Sequence, residues 1–365
     1  MTGQQKPIVL LHVFSTFRVG GPQMRFAAIA NYFGRKYRHI IVAMDNAFDA
    51  RDRLDPRLDV ELMPLDYVKG NTFANIRLFR GVLKRVKPDL LVTYNWGSIE
   101  WAMANFPRVV KHLHIEDGFG PEEASGQIRR RVLTRRYALA RSTVLVPSRV
   151  LEKIALEQWK LSPKRIRYVP NGIDCDRFSD PATEQYKTAG AGPVIGTVAA
   201  LRTEKNLPRL IQAFAVIRAK RPCRLIIAGG GPVKESLEAE AAKFGVADNV
   251  TFTGPISDTE RVYATLDIFA LSSDTEQMPL SVIEAMASGL PIAATNVGDM
   301  AVIVADDNKP YLVPRDAQAL ANALEALIAD PKRASIGAAN QQKAREKYNL
   351  DTMMNAYDRL FMGAA

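Results

Sequence analysis

Short apolar runs alternate with amphipathic segments along most of the chain. The apolar runs have the length of buried parallel strands, and the segments between them are long enough for helices. In the first half the predicted strands are Ile8–Phe14, Ile40–Ala43, Val60–Met63, Asp89–Thr93, Val109–His114, Thr143–Val146 and Ile166–Val169. In the second half they are Val194–Ala199, Arg224–Ala228, Val250–Thr253, Ile268–Leu271 and Pro291–Thr295. Strands that alternate with helices predict parallel βαβ units and doubly wound sheets.

The length indicates two domains, because 365 residues exceed one ordinary hydrophobic core. The small and polar segment Thr183–Pro193 has the composition of a linker. We therefore predict a first domain over residues 1–180, a second over residues 181–347, and a final helix within residues 348–365.

The net charge of +10 belongs to the first half of the chain. Residues 1–180 hold 30 Lys and Arg against 18 Asp and Glu, whereas residues 181–365 hold 19 against 21. A basic half can serve a nucleic acid, an anionic membrane surface or an acidic substrate.

Two cysteines, Cys175 and Cys223, provide no disulfide framework, which favours a reducing cytosol. The apolar run that begins at Ile8 is too short to span a bilayer and is not followed by the cleavage pattern of a signal peptide. We therefore expect a cytoplasmic protein.

The most informative stretch, Ser272–Pro291, carries two carboxylates, Glu276 and Glu284, with seven residues between them. It begins after one predicted strand and ends at the next. Pro279 stands where a first helical position is expected, and Gly289 followed by a proline ends the helix. The pattern predicts strand, loop, short helix and strand, with the first Glu in the loop and the second in the helix.

A helix N-terminus at the carboxyl edge of a parallel sheet is an anion site, and phosphate is the usual anion. Here the N–H groups would come from Met278, Leu280 and Ser281. An ionised carboxylate only accepts hydrogen bonds, so a Glu beside this site suits hydroxyl groups. Phosphate together with hydroxyls indicates a nucleotide sugar. From the spacing alone, two solvated glutamates around an ordinary helix start are the alternative.

In its context the stretch resembles the donor-site signature of family 4 glycosyltransferases, and Pro279, Ala285–Ala287 and Gly289–Pro291 fit the same pattern. The resemblance implies that Glu276 holds hydroxyls of the donor sugar and that Glu284 holds the ribose. It also implies the GT-B fold, an α/β architecture of two doubly wound, Rossmann-like domains that face each other across a cleft. In that architecture the final helix crosses back to the first domain.

Two cations, Arg202 and Lys205, follow the first strand of the second half. At the carboxyl end of a strand they could neutralise a diphosphate and stabilise it as a leaving group. A salt-bridged surface pair is the alternative that the residues alone leave open. Family 4 enzymes bind the donor diphosphate with an Arg and a Lys at matching places, so the resemblance assigns both residues to the donor and to catalysis, together with Glu276.

Further donor-binding positions also follow from the resemblance. Gly230 lies in a strand-to-helix turn at the ligand-facing edge, and Pro255 and Ile256 match a segment whose backbone contacts the base. Gln277 joins Glu276 to the helix start and completes the predicted donor-binding set.

Gly20 and Gly21 connect the first strand to a predicted helix over Gln23–Phe33. Two glycines there allow the backbone to approach a ligand closely, although a tight turn accounts for them equally well. The pattern is not G-x-G-x-x-G, so a dinucleotide fingerprint is not supported. It resembles the Gly-Gly loop that in family 4 enzymes closes over the donor phosphate and the acceptor.

His114, Glu116 and Asp117 lie at the end of another predicted strand. For any one of them, a buried hydrogen-bonded His or a solvated acid is the ordinary alternative. In the family a His or Asp near this position lies close to the transferred sugar. The resemblance therefore assigns His114, and after it Asp117, to catalysis.

The most basic segment, Ala124–Arg141, is predicted to form a helix. Its clustered arginines are Arg129, Arg130, Arg131, Arg135 and Arg136. Its predicted apolar side consists of Ile128, Val132, Leu133 and Leu139. A basic amphipathic helix suits an anionic membrane interface, where each Arg adds about 1 kcal/mol. The alternative is a surface helix that packs its apolar side on the sheet and solvates its arginines.

Some positions depart from the family pattern. Gly298-Asp299 stands where many members have two glycines, Val302 replaces an expected Glu, and Pro310 replaces a Gly. The D-x-D of Asp174–Asp176 could suggest a metal site, but the segment around it matches the N-G-[IV]-D element at the family's domain junction and nothing nearby completes a metal shell. We expect no metal and no cofactor.

Together these features predict a retaining glycosyltransferase. The expected donor is a UDP-sugar, and the expected acceptor is a lipid or lipid-linked glycan at the inner face of the cell membrane. One alternative is an enzyme of the same fold that uses a small soluble acceptor, or a nucleotide-sugar epimerase. A remote alternative is a non-enzymatic nucleic-acid binder, for which the chain lacks interleaved aromatics and a known motif.

Overall fold

The computed structural model describes residues 7–123, 126–179 and 191–363. The chain divides into two compact units. Unit 1 contains the described residues up to Val169 together with those from Met354 onward, and unit 2 contains those from Pro170 to Met353.

Unit 1 is built on a sheet of seven strands that pair in parallel. The strands are β1 (Ile8–Phe14), β2 (Tyr37–Ala43), β3 (Val60–Leu62), β4 (Leu90–Tyr94), β5 (Lys111–Ile115), β6 (Thr143–Val146) and β7 (Ile166–Tyr168). The helices between them are α1 (Gly21–Phe33), α2 (Thr72–Val86), α3 (Ile99–Ala104), α4 (Arg129–Ala138) and α5 (Arg149–Glu157). The strand order is β3-β2-β1-β4-β5-β6-β7, so the winding reverses between β1 and β4.

The central strands of unit 1 are buried because their residues are almost all apolar. From Leu10 to Phe14 the strand β1 is buried at every position, as expected for a parallel strand covered on both faces. One apolar cluster joins Leu11 and Val13 to Phe79 of α2 and Trp101 of α3.

Unit 2 begins with α6 (Cys175–Ser179) and contains a second parallel sheet, of six strands. The strands are β8 (Val194–Val198), β9 (Arg224–Ala228), β10 (Val250–Gly254), β11 (Ile268–Leu271), β12 (Ile292–Thr295) and β13 (Leu312–Val313). Its other helices are α7 (Leu207–Arg218), α8 (Lys234–Lys243), α9 (Thr259–Tyr263), α10 (Leu280–Ala287), α11 (Met300–Ile303), α12 (Ala317–Ala329) and α13 (Arg333–Lys347). The order β10-β9-β8-β11-β12-β13 places the reversal between β8 and β11.

Both sheets confirm the predicted doubly wound α/β architecture. In such sheets ligands bind beyond the carboxyl ends of the strands, at the point where the strand order reverses. The loops that matter most are therefore those after β1 and β4 in unit 1 and those after β8 and β11 in unit 2.

The division between the units falls after Val169, which is earlier than the boundary predicted at residue 180. The reason is that the segment after Val169 packs into unit 2: Ile173, Cys175 and Phe178 belong to one of its apolar clusters. Ile173 also forms a bridge to Asn349. Of the predicted linker, residues 183–190 lie outside the described residues.

The last helix, α14 (Leu350–Phe361), begins in unit 2, and its residues from Met354 belong to unit 1. None of the helices in the described ranges has both the length and the apolar character needed to cross a bilayer. Both cysteines are buried thiols, and burial raises the pKa of Cys175 to about 11 and also raises that of Cys223.

Candidate active site

The strand reversal in unit 2 brings together the two loops that carry the main candidate residues. Lys205 lies in the loop after β8, and Glu276 lies in the loop after β11. Lys205 Nζ is 2.6 Å from Glu276 Oε1, and Ser273 Oγ donates a 2.8 Å hydrogen bond to the same oxygen. Lys205 is therefore salt-bridged, as the alternative of a surface pair also expects. Its partner, however, is Glu276, the carboxylate predicted to bind the donor sugar.

The same two loops are also joined through their backbones. The amide of Asp274 donates to the carbonyl of Glu204 (2.9 Å), and Ser272 Oγ donates to the carbonyl of Lys205 (3.0 Å). The two loops that carry Lys205 and Glu276 are therefore hydrogen-bonded to each other.

A second group of side chains, which the sequence did not reveal, supports the loop after β11. Arg209 of α7 donates to the carbonyl of Ser272 (2.7 Å) and to Asp274 Oδ1 (2.7 Å). Asn206 donates to Asp274 Oδ2 (3.0 Å), and its own side-chain oxygen accepts from the amide of Arg209 at the start of α7. The position of Asn206 before Leu207-Pro208 is a helix-capping signal that could have identified part of this group.

The helix start that was predicted to bind phosphate follows directly. Pro279 occupies the N-cap position of α10 with extended backbone dihedrals, not the first helical position that was predicted. The amides of Leu280 and Ser281 therefore open the helix, where the first N–H groups have no partner within the helix itself. Met278 is buried: its sulfur accepts a hydrogen bond from the amide of Asn171.

Gly298, which stands at the first of the two family glycines and precedes the departing Asp299, touches the loop of Glu276. Its φ is +54°, and a Cβ on this residue would lie 2.1 Å from the carbonyl oxygen of Glu276. The amide of Asp299 donates to the carbonyl of Gln277 (3.3 Å). A glycine is thus required at 298 both by its left-handed backbone and by close approach, while Asp at 299 is compatible with the loop.

Glu284 lies in the second turn of α10. Its Oε2 accepts a 2.7 Å hydrogen bond from the hydroxyl of Tyr263, the last residue of α9. Burial raises the pKa of Glu284, against the opposing effects of this hydrogen bond and of the charge of Arg177. Tyr263 is a residue that the sequence analysis missed.

The glycine-rich turn after β9 packs tightly against neighbouring loops at the same sheet edge. A Cβ on Gly230 would lie 2.6 Å from the ring of Pro255, and one on Gly229 would lie 2.0 Å from the carbonyl oxygen of Ala199. The structure therefore places Gly230 beside Pro255 and its neighbour Ile256. Arg202 is exposed in the loop after β8.

In unit 1, the two glycines differ in their surroundings. Gly20 is the extended residue before α1, and a Cβ there would lie 2.8 Å from Gln23 Oε1. A Cβ on Gly21 would meet nothing within 4 Å among the described residues. At Gly20 a larger residue would therefore crowd the side chain of Gln23. At Gly21 a side chain would have room, and the glycine leaves open space at the start of α1.

Asp117 follows β5 and is held by a two-point ion pair with Arg25 of α1. The distances are 2.5 Å from Arg25 Nη1 to Oδ1 and 2.7 Å from Nη2 to Oδ2. The amide of Asp117 also donates to Asn95 Oδ1 (2.7 Å) in the loop after β4. Because Arg25 fixes both carboxylate oxygens, Asp117 is oriented at the point where the strand order reverses.

His114 is fully buried inside the sheet, within β5. Its Nδ1 forms a 2.8 Å hydrogen bond with Thr93 Oγ1, and its Nε2 lies 3.7 Å from Glu116 Oε2. His114 is therefore a buried, hydrogen-bonded histidine in this structure, as the ordinary alternative expected. Asp117, ranked second from the sequence, is the more accessible of the two.

The arginine-rich helix does not present all its arginines to solvent, contrary to the prediction. Arg135 is fully buried and lies 5.0–5.1 Å from the rings of Trp96, Phe119 and Trp159. It also pairs with Glu116 and Glu123, at 3.3 and 3.1 Å.

Arg131 is also turned inward and pairs with Glu122 and Glu123. Arg129, Arg130 and Arg136 are exposed. The predicted apolar side is also only partly correct, because Leu139 is buried whereas Leu133 is 52% exposed. The first two residues of the predicted segment, 124 and 125, lie outside the described residues.

The predicted D-x-D has a structural role in this chain. Asp174 Oδ1 accepts hydrogen bonds from the amides of Asp176 and Arg177, at 3.1 and 3.3 Å, and so closes the start of α6. Across the described residues, no group of three or more His, Cys, Asp and Glu side chains is arranged to hold a metal ion.

These features define an α/β protein with a cation–carboxylate pair beside a helix start, at the strand reversal of its second sheet. Comparison with known proteins gives the family. The model "Glycosyltransferase Family 4" matches residues 19–177, and the model "Glycosyl transferases group 1" matches residues 180–344. The chain belongs to the family 4 glycosyltransferases.

The individual relatives share about a third or less of their residues with this chain in the matched regions. A GDP-mannose-dependent alpha-(1-6)-phosphatidylinositol monomannoside mannosyltransferase of Mycobacterium tuberculosis is 33% identical over 207 residues, which cover 52% of this chain and 53% of the relative. A D-inositol 3-phosphate glycosyltransferase of Stackebrandtia nassauensis is 27% identical over 289 residues, covering 73% and 64%. The matches thus span about half to two thirds of the length of these curated relatives.

Among solved structures, the Anabaena protein HepE in complex with UDP has a TM-score of 0.79. It is 18% identical, and the match covers 98% of this chain and 100% of the other. This likeness confirms the GT-B fold.

Proposed function

We propose that this protein transfers a sugar from a nucleoside diphosphate sugar to a hydroxyl of a membrane-associated acceptor, with retention of the anomeric configuration. The observation that carries the proposal is the Lys205–Glu276 pair, 2.6 Å apart, at the β8/β11 reversal. A cation beside a carboxylate suits a ligand that has both phosphate and hydroxyl groups.

The roles follow from the chemistry of each group. Lys205, the exposed Arg202 and the opening amides of α10 would stabilise the negative charge on the departing diphosphate. On binding, phosphate oxygens would take over Lys205 and release Glu276 to accept hydrogen bonds from sugar hydroxyls. Glu284 would accept from the ribose. Because cations and a helix start supply the positive charge, we expect turnover without a divalent metal.

The test of this function is nucleotide release from a panel of nucleotide sugars in the presence of EDTA. We expect release by the wild-type chain and a large loss in Glu276→Ala. A strict requirement for a divalent metal, or unchanged turnover in that variant, would contradict the proposal.

The base of the donor has two candidates. The family resemblance led to UDP, and a protein of the same fold has been solved with UDP. The Mycobacterium tuberculosis relative, by contrast, is named as GDP-mannose-dependent. A thermal-shift series with UDP, GDP and their sugars decides between them, because at equal concentration the ligand that binds the native state more tightly raises the melting temperature more.

For the acceptor we propose a lipid or lipid-linked glycan, in keeping with the phosphatidylinositol monomannoside named for that relative. On α4, the exposed Arg129, Arg130 and Arg136 share the helix surface with Leu133 and with Tyr137, which is 71% exposed. Three cations with exposed apolar groups suit a reversible contact with an anionic leaflet, as a peripheral protein would make.

Vesicle sedimentation at low salt tests the membrane contact. We expect binding to vesicles that contain anionic lipid, and weaker binding after Arg129, Arg130 and Arg136 are all changed to Gln. A matched control changes three exposed cations elsewhere in unit 1, namely Lys160, Lys164 and Arg165. Equal binding by both triple variants would argue against α4 as the contact.

A small soluble acceptor is the second candidate, and the D-inositol 3-phosphate named for the other relative favours it. Mass spectrometry of the products formed from lipid and soluble acceptors separates the two and would also reveal an epimerase. Salt-dependent binding to random DNA would be the sign of the nucleic-acid alternative.

A further inference from the structure

Tyr263 is held rigidly beside Glu284. It is fully buried at the end of α9, and its ring packs against those of Phe178 and Phe269, with centroids 5.7 and 5.8 Å away. Its hydroxyl donates the 2.7 Å hydrogen bond to Glu284 Oε2. Because packing fixes the ring, the direction of this hydrogen bond is fixed relative to the sheet.

The helix that carries Tyr263 is itself anchored. Arg177 of α6 lies 2.5 Å from Glu260 Oε2 of α9, and it also donates to the carbonyl of Ser257 (2.9 Å). Ser257 directly follows Pro255 and Ile256, the segment expected to contact the base. The anchor therefore joins α9 to that segment.

A carboxylate has about four lone-pair positions, and Tyr263 uses one of them. The hydrogen bond fixes the rotation of the carboxylate and leaves the remaining positions for other donors. A ribose offers two neighbouring hydroxyls, which can both donate to one oriented carboxylate. A carboxylate free to rotate would have to be ordered on binding, which costs affinity.

We propose that Tyr263 is a positioning residue for the donor nucleotide: it orients Glu284 so that this carboxylate accepts hydrogen bonds from both ribose hydroxyls. The inference rests on the donor site proposed above and adds to it the residue that sets ribose recognition. Tyr263 itself does not contact the ligand in this account.

The experiment measures dissociation constants by calorimetry for UDP and GDP and for their 2′,3′-dideoxy forms. For whichever base the wild-type chain binds, we expect the ribose form to bind more tightly than the dideoxy form. Tyr263→Phe should weaken the ribose form by about tenfold, the equivalent of one hydrogen bond to a charged group. It should leave the dideoxy form unchanged, because that ligand has no hydroxyls for Glu284 to accept.

Tyr311→Phe is the matched control. Tyr311 also donates its hydroxyl to a carboxylate of unit 2, that of Asp330, but neither residue belongs to the donor site proposed above. This variant should change neither affinity. Equal weakening of both nucleotide forms by Tyr263→Phe, or no change in either, would overturn the positioning role.

Glu284→Gln distinguishes failure of this inference from failure of the proposed function. If the wild-type chain binds no nucleotide, or if Glu284→Gln keeps the full preference for ribose, then the donor site itself is wrong. If Glu284→Gln loses the preference and Tyr263→Phe keeps it, only the positioning role is wrong.

Should Tyr263→Phe fold poorly, because a buried carboxylate loses its partner, the double variant Tyr263→Phe/Glu284→Gln removes the hydroxyl and the negative charge at once. It should bind the ribose form as Glu284→Gln does. A further loss in the double variant would mean that Tyr263 acts by a route other than Glu284, and the inference would fail.

Discussion

The two units use their charged residues differently. In unit 2 the cation Lys205 and the carboxylate Glu276 meet at the sheet edge and remain partly exposed. In unit 1 Arg135 is buried between aromatic rings and pairs with the buried Glu116 and Glu123, so these charges serve packing. A charge count along the chain therefore indicates where charge is, but only the structure separates charges available to a ligand from charges used in the core.

The largest effect is expected where unit 1 uses charge for stability. Arg135→Met leaves Glu116 buried without its cation and leaves Glu123 with Arg131 alone, so we expect a loss of about 3–5 kcal/mol in the free energy of unfolding. Burial opposes ionisation of Glu123, but Arg135, together with the amide of Ile128 and with Arg131, outweighs it and lowers the pKa of this carboxyl. The stabilisation is thus present above the pKa of an unfolded Glu and is lost as the pH falls through the lowered folded value.

Urea denaturation of Arg135→Met and Arg136→Met checks this prediction. Arg136 is exposed on the same helix, so its variant should stay within about 0.5 kcal/mol of the wild-type chain. Similar losses in both variants would show that the helix, and not the buried charge, determines the effect.

The second effect concerns the charge pair of unit 2. Glu276→Gln keeps the size of the side chain but removes the negative acceptor, and we expect turnover to fall roughly 100-fold. The measurement is nucleotide release at a saturating donor concentration. Glu325→Gln is the control, because Glu325 also pairs with a lysine, Lys220, at 2.7 Å but on the surface. If both variants lose activity equally, the special role of the β8/β11 edge is wrong.

A third effect tests whether the reversal in unit 1 also supports the reaction. Arg25→Lys keeps the charge but cannot hold both oxygens of Asp117 in the same fork geometry. We expect turnover to fall about tenfold, with nucleotide affinity unchanged because Lys205, Glu276 and Glu284, which we propose hold the donor, lie in unit 2.

Steady-state rates and a thermal-shift titration with nucleotide give the two quantities. Arg38→Lys is a suitable control, since Arg38 pairs with Glu61 on the exposed side of unit 1. An unchanged rate in Arg25→Lys would show that the orientation of Asp117 does not affect turnover. Weaker nucleotide binding would contradict the expectation that this ion pair acts on turnover alone.

The smallest effect is a pH dependence of nucleotide affinity. Burial raises the pKa of Glu284, while Tyr263 and Arg177 oppose the shift and Glu260 adds to it. The ionised form accepts hydrogen bonds from ribose, so affinity for the ribose form should fall as the pH drops through this raised value. Tyr263→Phe removes an opposing hydrogen bond and should move the fall to higher pH. Calorimetry between pH 4.5 and about 8 measures it, and a flat profile would contradict the role of Glu284.

The sequence was sufficient for those features that depend on neighbours along the chain. The alternation of apolar runs predicted both parallel sheets, and Lys205 and Glu276 could be expected at the same sheet edge because each lies in the loop that follows a central strand. The N-terminus of α10 was predicted within one residue, and the error at Pro279 arose because proline suits both the first helical position and the residue before it.

Features that depend on distant residues could not be predicted in this way. Arg135 and Arg136 are neighbours in a run of arginines, and the selection of Arg135 for the interior depends on Trp96, Phe119 and Trp159, which come from three other parts of the chain. In the same way, the residues next to Tyr263 in the sequence do not predict its hydrogen bond to Glu284 on the following helix.

The burial of Cys175 and Cys223 has a practical consequence. Thiols with raised pKa values hold little thiolate at neutral pH and react slowly with maleimides. A cysteine introduced at an exposed position in each unit could therefore carry a fluorophore without removal of the native ones. Energy transfer between such dyes would then follow the distance between the two units as nucleotide is added.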